Sequence, residues 1–297
     1  MGRAIVNTYP DLLAYYQEAE GELGFNLREL CFSGPEDKLK KTSYAQPALL
    51  VTSIICLKQL LKAGVKPDYL AGHSLGEYSA LVAAGCLSFR EAINLVRKRG
   101  LLMEEAYPLG EGGMAAVLGL AADKIEEVCR QVSPHGFVQI ANYNCPGQIV
   151  IAGQKVALYK AANLLKLAGA KKVIELVVSG RFHSELIKQA SYYLASYLGN
   201  INFLDPKIPV ISNVSADYLY NGTEIMESLR RQMYLPVRWQ ESIKKLSSAG
   251  VTIFIEVGPG KVLSGLVRKT VREVNIFNVE DDISLANTLA KLKECID

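Results

Sequence analysis

The chain has 297 residues, of which 49% are apolar and 21% charged, and a formal net charge of +3. That length supplies ample material for a core, and so small a charge, with no dominant basic block, argues against nucleic acid as the main partner. The six cysteines, at positions 31, 56, 86, 129, 145 and 295, form no Cys-x-x-Cys pair; this excludes the common zinc and redox spacings, so no metal is expected, and suits reduced thiols in a cytoplasmic protein.

The first twenty residues carry acids and tyrosines rather than the pattern of a signal peptide. The longest apolar run, Ala48 to Leu57, is interrupted by Thr52 and Ser53 and is too short to span a bilayer. Pro47 marks a helix start, with apolar residues continuing to Leu61 before Gly64. Asp68 to Ala71 reads as a short buried strand, and Leu75 to Ala84 as a helix stopped by Gly85. Ser88 and Glu91 have the spacing of a capping box for a helix running toward Ala106.

Around Gly112-Gly113 the texture changes. Met114–Leu120 reads as a strand, Asp123–Val132 as a helix, and Phe137–Ala141 and Gln148–Ala152 as strands joined by a loop over Asn142–Gly147. A helix over Val156–Ala168 and a strand over Lys172–Val178 complete a βαββαβ order, the ferredoxin-like arrangement. Ile208–Ile211 and Thr252–Val257 are candidate buried strands beyond it. The expectation is an α/β protein: an α/β-hydrolase-like large domain, residues 1–112 and 179–297, carrying an inserted ferredoxin-like subdomain, residues 113–178.

Between the strand at 68–71 and its following helix lies Gly72-His73-Ser74-Leu75-Gly76. A Gly-x-Ser-x-Gly at a strand-to-helix turn builds a nucleophile elbow, in which two glycines remove side chains that would clash and the serine hydroxyl is thrust out of the sheet. A serine hydroxyl needs a base, and the chain has three histidines. His73 adjoins the serine, but neighbouring side chains in a tight elbow diverge, so it reads as a wall of the pocket. His135 lies in a polar turn. His183 follows a strand and precedes a helix pattern, where α/β sheets build their sites, and reads as the base. Arg99 lies in Arg97-Lys98-Arg99-Gly100. Three consecutive basic residues favour a solvated face, although Gly100 and Met103 allow close packing beside Arg99. Gly258-Pro259-Gly260-Lys261 resembles a phosphate cradle weakly and a strand-to-helix turn better.

The elbow, Gln46-Pro47-Ala48-Leu49, Arg99-Gly100-Leu101-Leu102-Met103, Asn142-Tyr143-Asn144-Cys145-Pro146-Gly147-Gln148, Phe182-His183-Ser184, Asn213-Val214-Ser215-Ala216, Pro236-Val237-Arg238-Trp239 and Glu256 to Leu263 together resemble the malonyl-CoA:acyl carrier protein transacylases. These include enzymes of fatty acid synthesis and free-standing acyltransferases of polyketide synthases. The resemblance spans nearly the whole chain, with the motifs in order. It implies Ser74 as nucleophile, His183 as base, the Gln232 backbone carbonyl as the group orienting the imidazole, and the Leu75 N–H as an oxyanion donor. It further implies that Arg99 binds the malonyl carboxylate, that Phe182 crowds an α-methyl branch, and that Gln46, Met103 and Asn142 belong to the substrate site. Malonyl-CoA is then the substrate and an acyl carrier protein with its phosphopantetheine arm the partner, with no further cofactor and no membrane. A carrier of acidic character would meet basic residues such as Lys171, Lys172, Arg268, Lys269 and Arg272. A monomer is expected.

The chain departs from the family pattern in three places. Family members open with a strand and a Gly-Gln-Gly-Ser-Gln loop whose first glutamine supplies a second oxyanion donor, whereas this sequence starts at Met1-Gly2-Arg3, a stretch resembling the segment just after that loop. The expectation is a misplaced or truncated start, or a site short of one donor, a loss that costs about 10²–10³ in turnover. Arg181 stands where a small residue is common, and Glu104, where glutamine is usual, reads as a surface acid. Two other readings compete: an acyl hydrolase of a polyketide pathway, against which Arg99 speaks because such relatives lack it, and an inactive truncated copy serving as a carrier-docking scaffold.

Overall fold

The computed structural model describes residues 1–106, 111–176, 180 and 182–296. Its main core is organised around a 21-residue helix, Thr42–Lys62, which buries Ala48, Leu50, Val51, Ile54 and Ile55. The helix starts five residues before the expected Pro47, which lies inside it. A proline there lacks the N–H that would bond the carbonyl of Ser43 four residues back. Arg97 fills the vacancy: its guanidinium donates to the Ser43 carbonyl at 2.6 Å, while the ring of Tyr44 packs 4.4 Å from it. By length and composition this helix could cross a membrane, but 61% of its most apolar window is buried inside the protein.

Against it packs the helix Phe89–Glu105. Ser88 and Glu91 close the expected capping box at its start. Gly100 lets the two helices touch, since a Cβ at this position would lie 2.6 Å from the Ser43 Cα. Glu104 is no surface acid: its carboxylate accepts from the Ser43 N–H at 2.8 Å and ties down the first turn of the neighbouring helix. Helices Arg3–Thr8, Leu13–Leu23 and Leu27–Ser33, which the sequence pattern does not resolve, close over this core with Ile5, Tyr16 and Leu27 buried.

The strand before the elbow is only Leu70–Ala71 and half-buried, shorter than the expected 68–71. It runs parallel to Val210–Ile211, which pairs antiparallel with Tyr218–Leu219, a strand not anticipated. A second, parallel pair joins Ile253–Val257 to Asn275–Val279, also unanticipated on its second strand. The turn Gly258–Lys261 leads from that pair into the helix Val262–Thr270, and carboxylates take one N–H of the turn and two of the helix's first turn. Glu256 accepts from Leu263 and Ser264, and Glu280 from Gly260. These partners settle the choice between turn and phosphate cradle for the turn.

Residues 112–176 form a four-stranded antiparallel sheet. In chain order its strands are Gly112–Leu118, Val138–Cys145, Gln148–Gln154 and Lys172–Leu176, and across the sheet they run second, third, first, fourth. Val177 and Val178, at the end of the expected last strand, lie outside the described residues. Helices Ala122–Gln131 and Lys155–Leu167 cover one face around Val117, Ile125, Ile151 and Leu165. The expected loop 142–147 is mostly strand, with the chain turning at Pro146-Gly147. The opposite face carries Met114, Ala141, Val150 and Ala152 and packs against Phe182. A parallel bridge from Asn142 to Val237 joins this sheet to the rest of the fold.

Candidate active site

Ser74 sits at φ 51°, a left-handed conformation that a non-glycine residue rarely holds without support. The support comes from Asn213, whose side-chain oxygen accepts from the Ser74 N–H at 2.6 Å while its amide donates to the Gly72 carbonyl at 2.6 Å. Gly72 is obligatory, because a Cβ there would lie 1.9 Å from the backbone of Gly76. Gly76 is not: a Cβ on it meets nothing within 4 Å. The two-glycine reading of the elbow is therefore half right. The helix Gly76–Ala83 begins at once, and the Leu75 N–H at its mouth has no partner among the described residues.

His183, 3% exposed, comes to the elbow from 109 residues away. Its own φ is 56°, held by its N–H donating to Met233 at 3.1 Å and by its carbonyl accepting from Gln139 of the small sheet. Its Nε2 lies 2.8 Å from the Ser74 Oγ, and its Nδ1 2.7 Å from the Gln232 carbonyl oxygen. A carbonyl only accepts, so Nδ1 carries the proton and Nε2 presents a lone pair to the serine hydroxyl. Burial, reinforced by the charge of Arg99, pushes the imidazole down to about 3.

Arg99, 1% exposed, is buried rather than on a solvated face. Its guanidinium donates to Gln46 Oε1 at 2.8 Å, to Gln232 Oε1 at 2.9 Å and to Ser74 Oγ at 3.1 Å. Gln46 in turn donates to the Met103 sulfur at 3.4 Å. Tyr78 lies beneath, with its ring centroid 5.3 Å away. Among the described residues no carboxylate pairs with Arg99 within 4.0 Å, and its Nε has no hydrogen-bond partner. A buried acid, Glu77, reaches it only through the Gln232 side chain, so the guanidinium has no direct anionic partner and can receive one.

The structure thus gathers Ser74, Leu75, Arg99, His183, Gln232, Gln46 and Met103. Phe182 flanks the histidine on the small-sheet side and lies over Gly180, whose absent Cβ would fall 2.4 Å from its ring. Asn142 is buried and fixed by its backbone bridge to Val237, not by a bond to the serine. His73 is not the group that faces Ser74; its Nε2 pairs with Asn144 Oδ1 at 2.9 Å beside Trp239. His135 is exposed in a short turn. Arg181 lies outside the described residues. Lys171, Lys172, Arg268, Lys269 and Arg272 are all exposed, the first two at the start of the strand Lys172–Leu176 and the other three at and just past the end of the helix Val262–Thr270.

Sequence reasoning assigns no role to Glu77, Asn213 or Asn144. The burial of Glu77 had a signal: Ala80, Leu81 and Ala84 share its helix face at spacings of three, four and seven, which points it inward.

Residues 2–294 match the acyl transferase domain family, the class that this fold and site define. A malonyl CoA-acyl carrier protein transacylase of Bacillus subtilis is 49% identical over 295 residues, covering 99% of this chain and 93% of its own length. One from Haemophilus influenzae is 43% identical, covering 93% and 89%. The crystal structure of the Clostridium perfringens transacylase superposes with a TM-score of 0.96 at 41% identity, covering 99% of this chain and 93% of that one. A malonyl-transacylase solved in complex with its type II polyketide-synthase acyl carrier protein gives 0.94 at 40% identity, covering 96% and 93%. The chain belongs to the malonyl CoA-acyl carrier protein transacylase family.

Proposed function

We propose that the chain moves a malonyl group from malonyl-CoA to the phosphopantetheine thiol of an acyl carrier protein, through an acyl-serine at Ser74. The observation that carries this reading is the buried, carboxylate-free Arg99 within 3.1 Å of the same hydroxyl that His183 faces at 2.8 Å. One cleft then holds a nucleophile, its base and a socket for an anionic acyl group.

In the first half-reaction Ser74 Oγ attacks the thioester carbonyl and its proton passes to His183 Nε2. The Leu75 N–H faces the tetrahedral oxyanion. The carbon–sulfur bond breaks, and coenzyme A leaves as a thiol after taking the proton back from the imidazolium. In the second half-reaction the carrier's thiol gives its proton to His183 and attacks the acyl-serine, and the departing serine oxygen recovers that proton. The Gln232 carbonyl, 2.7 Å from Nδ1, holds one tautomer throughout, the task of a triad carboxylate. Arg99 pairs with the malonyl carboxylate, and an acetyl group leaves that charge without its partner. Phe182 narrows the space for an α-methyl branch. The exposed basic residues at 171, 172, 268, 269 and 272 offer long-range attraction to an acidic carrier. No further cofactor takes part, and the reading is of a cytoplasmic monomer.

The test is steady-state transfer with malonyl-CoA and a phosphopantetheinylated carrier. Parallel double-reciprocal lines are expected; a requirement for both substrates together before coenzyme A appears contradicts the acyl-serine. Release of free malonate in place of malonyl-carrier would favour the hydrolase reading.

A further inference from the structure

We infer that Glu77 is a positioning residue for acyl-group selection: it fixes the side-chain amide of Gln232 and, through it, the Arg99 guanidinium. The inference rests on the proposed malonyl-loading reaction and adds to it a residue outside the serine–histidine–arginine set.

Glu77 is a fully buried carboxylate, 0% exposed, in the first turn of the elbow helix. It has no cation within 4.0 Å among the described residues. Only donors surround it: the Asn213 N–H at 3.0 Å, the Gln232 amide at 2.8 Å and the Ser228 hydroxyl at 3.5 Å. The Gln232 amide nitrogen also donates to the Ser74 carbonyl at 2.9 Å. The Ser74 carbonyl can only accept in any protonation state, as can the ionised Glu77 carboxylate, so the nitrogen of Gln232 must face them and its oxygen must face the other way. That oxygen is the one receiving Arg99 at 2.9 Å. A flipped amide would turn donors toward a guanidinium that has no acceptor capacity.

Glu77 thereby bonds the one residue that touches both parts of the site. The side chain of Gln232 orients the cation that receives the acyl carboxylate, and its backbone carbonyl, 2.7 Å from His183 Nδ1, orients the base. Burial pushes the Glu77 carboxyl up to about 7, opposed by its donors and by the charge of Arg99. Such a buried acid is costly to keep, and packing alone gives no reason for it.

The experiment compares single-turnover loading of Ser74 from malonyl-CoA and from acetyl-CoA. Wild-type loading serves as the check on the underlying reaction, and its failure would count against that reaction rather than against Glu77. In Glu77→Leu the malonyl-to-acetyl ratio is expected to fall about tenfold or more, through malonyl KM, because an acceptor for the amide has gone. Glu77→Gln, which can still present an oxygen to Gln232 and the Asn213 N–H, is expected to restore most of the ratio. If Glu77→Leu does not fold, Glu77→Asp carries the same expectation, since its carboxylate is withdrawn by one methylene. Equal losses on both thioesters in a folded variant, with the ratio unchanged, would overturn the inference, as would a Glu77→Gln protein no better than Glu77→Leu.

Discussion

Ser43 and Gly100 meet backbone to backbone, and this contact sets the position of Arg99. The glycine admits the first turn of the Thr42–Lys62 helix to within a distance at which its own missing Cβ would lie 2.6 Å from the Ser43 Cα. Gln46, one turn further along, then reaches Arg99. In Gly100→Ala the helices must separate. A loss of about 1–3 kcal/mol is expected in urea titration, with weaker malonyl loading. Unchanged stability would show that the contact relaxes freely.

The two elbow glycines should behave differently. Gly72→Ala drives a Cβ into the Gly76 backbone and is expected to abolish soluble, folded protein. Gly76→Ala meets open space and replaces glycine at the start of a helix, so thermal denaturation should show retained stability or a gain of up to about 1 kcal/mol. Equal damage from both would restore the symmetric view of the motif.

How much of this was legible in the sequence differs by element. The elbow, the capping box at Ser88 and the βαββαβ order declare themselves because their signals are local: a spacing, a cap, a periodicity. The Ser74–His183 pairing was legible because the chain offers few histidines and one stands between strand and helix. Other features are set by tertiary partners. Pro47 sits inside a helix because Arg97 takes the carbonyl it frees. Glu104 is drawn inward by an N–H on another helix. Tyr218–Leu219 is too short for an alternating pattern to emerge. Arg99 read locally as one of three solvated cations; only Gly100 and Met103 hinted at burial, and the family resemblance supplied its role.

The histidine should remain a base well below the usual imidazole range. Its pKa is lowered to about 3 by burial, with the charges of Arg99 and His73 adding to the shift and hydrogen bonds to the Gln232 carbonyl and to the Leu235 backbone opposing it. A depressed histidine contributes stability that is complete above its unfolded value near 6.5 and is lost as pH falls toward about 3. For activity, His183 should therefore add no inflection near 6.5 to kcat/KM for loading, measured in Glu77→Gln so that the Glu77 carboxyl, pushed up to about 7, does not titrate in the same range. In Arg99→Gln a lowering influence is removed and the acid limb should move upward. An inflection near the ordinary imidazole value that persists in Glu77→Gln would contradict a buried neutral imidazole.

Arg99 should govern which acyl group is accepted. Arg99→Ala is expected to lose most malonyl loading, by about 10²-fold or more for a charge-assisted pair, while acetyl loading falls far less. Arg99→Lys should rescue poorly, since an ammonium lacks the planar fork that spans Gln46, Gln232 and a carboxylate. Loading assays on the two thioesters read this directly. Parallel losses on both would assign Arg99 to packing alone.

The most direct test of the account is mass spectrometry of the protein mixed with malonyl-CoA in the absence of any carrier. One malonyl group is expected per chain, mapped by peptide analysis to Ser74, absent in Ser74→Ala, and discharged when a phosphopantetheinylated carrier is added. Folded wild-type protein that gains no adduct, or gains it at another residue, would contradict the account.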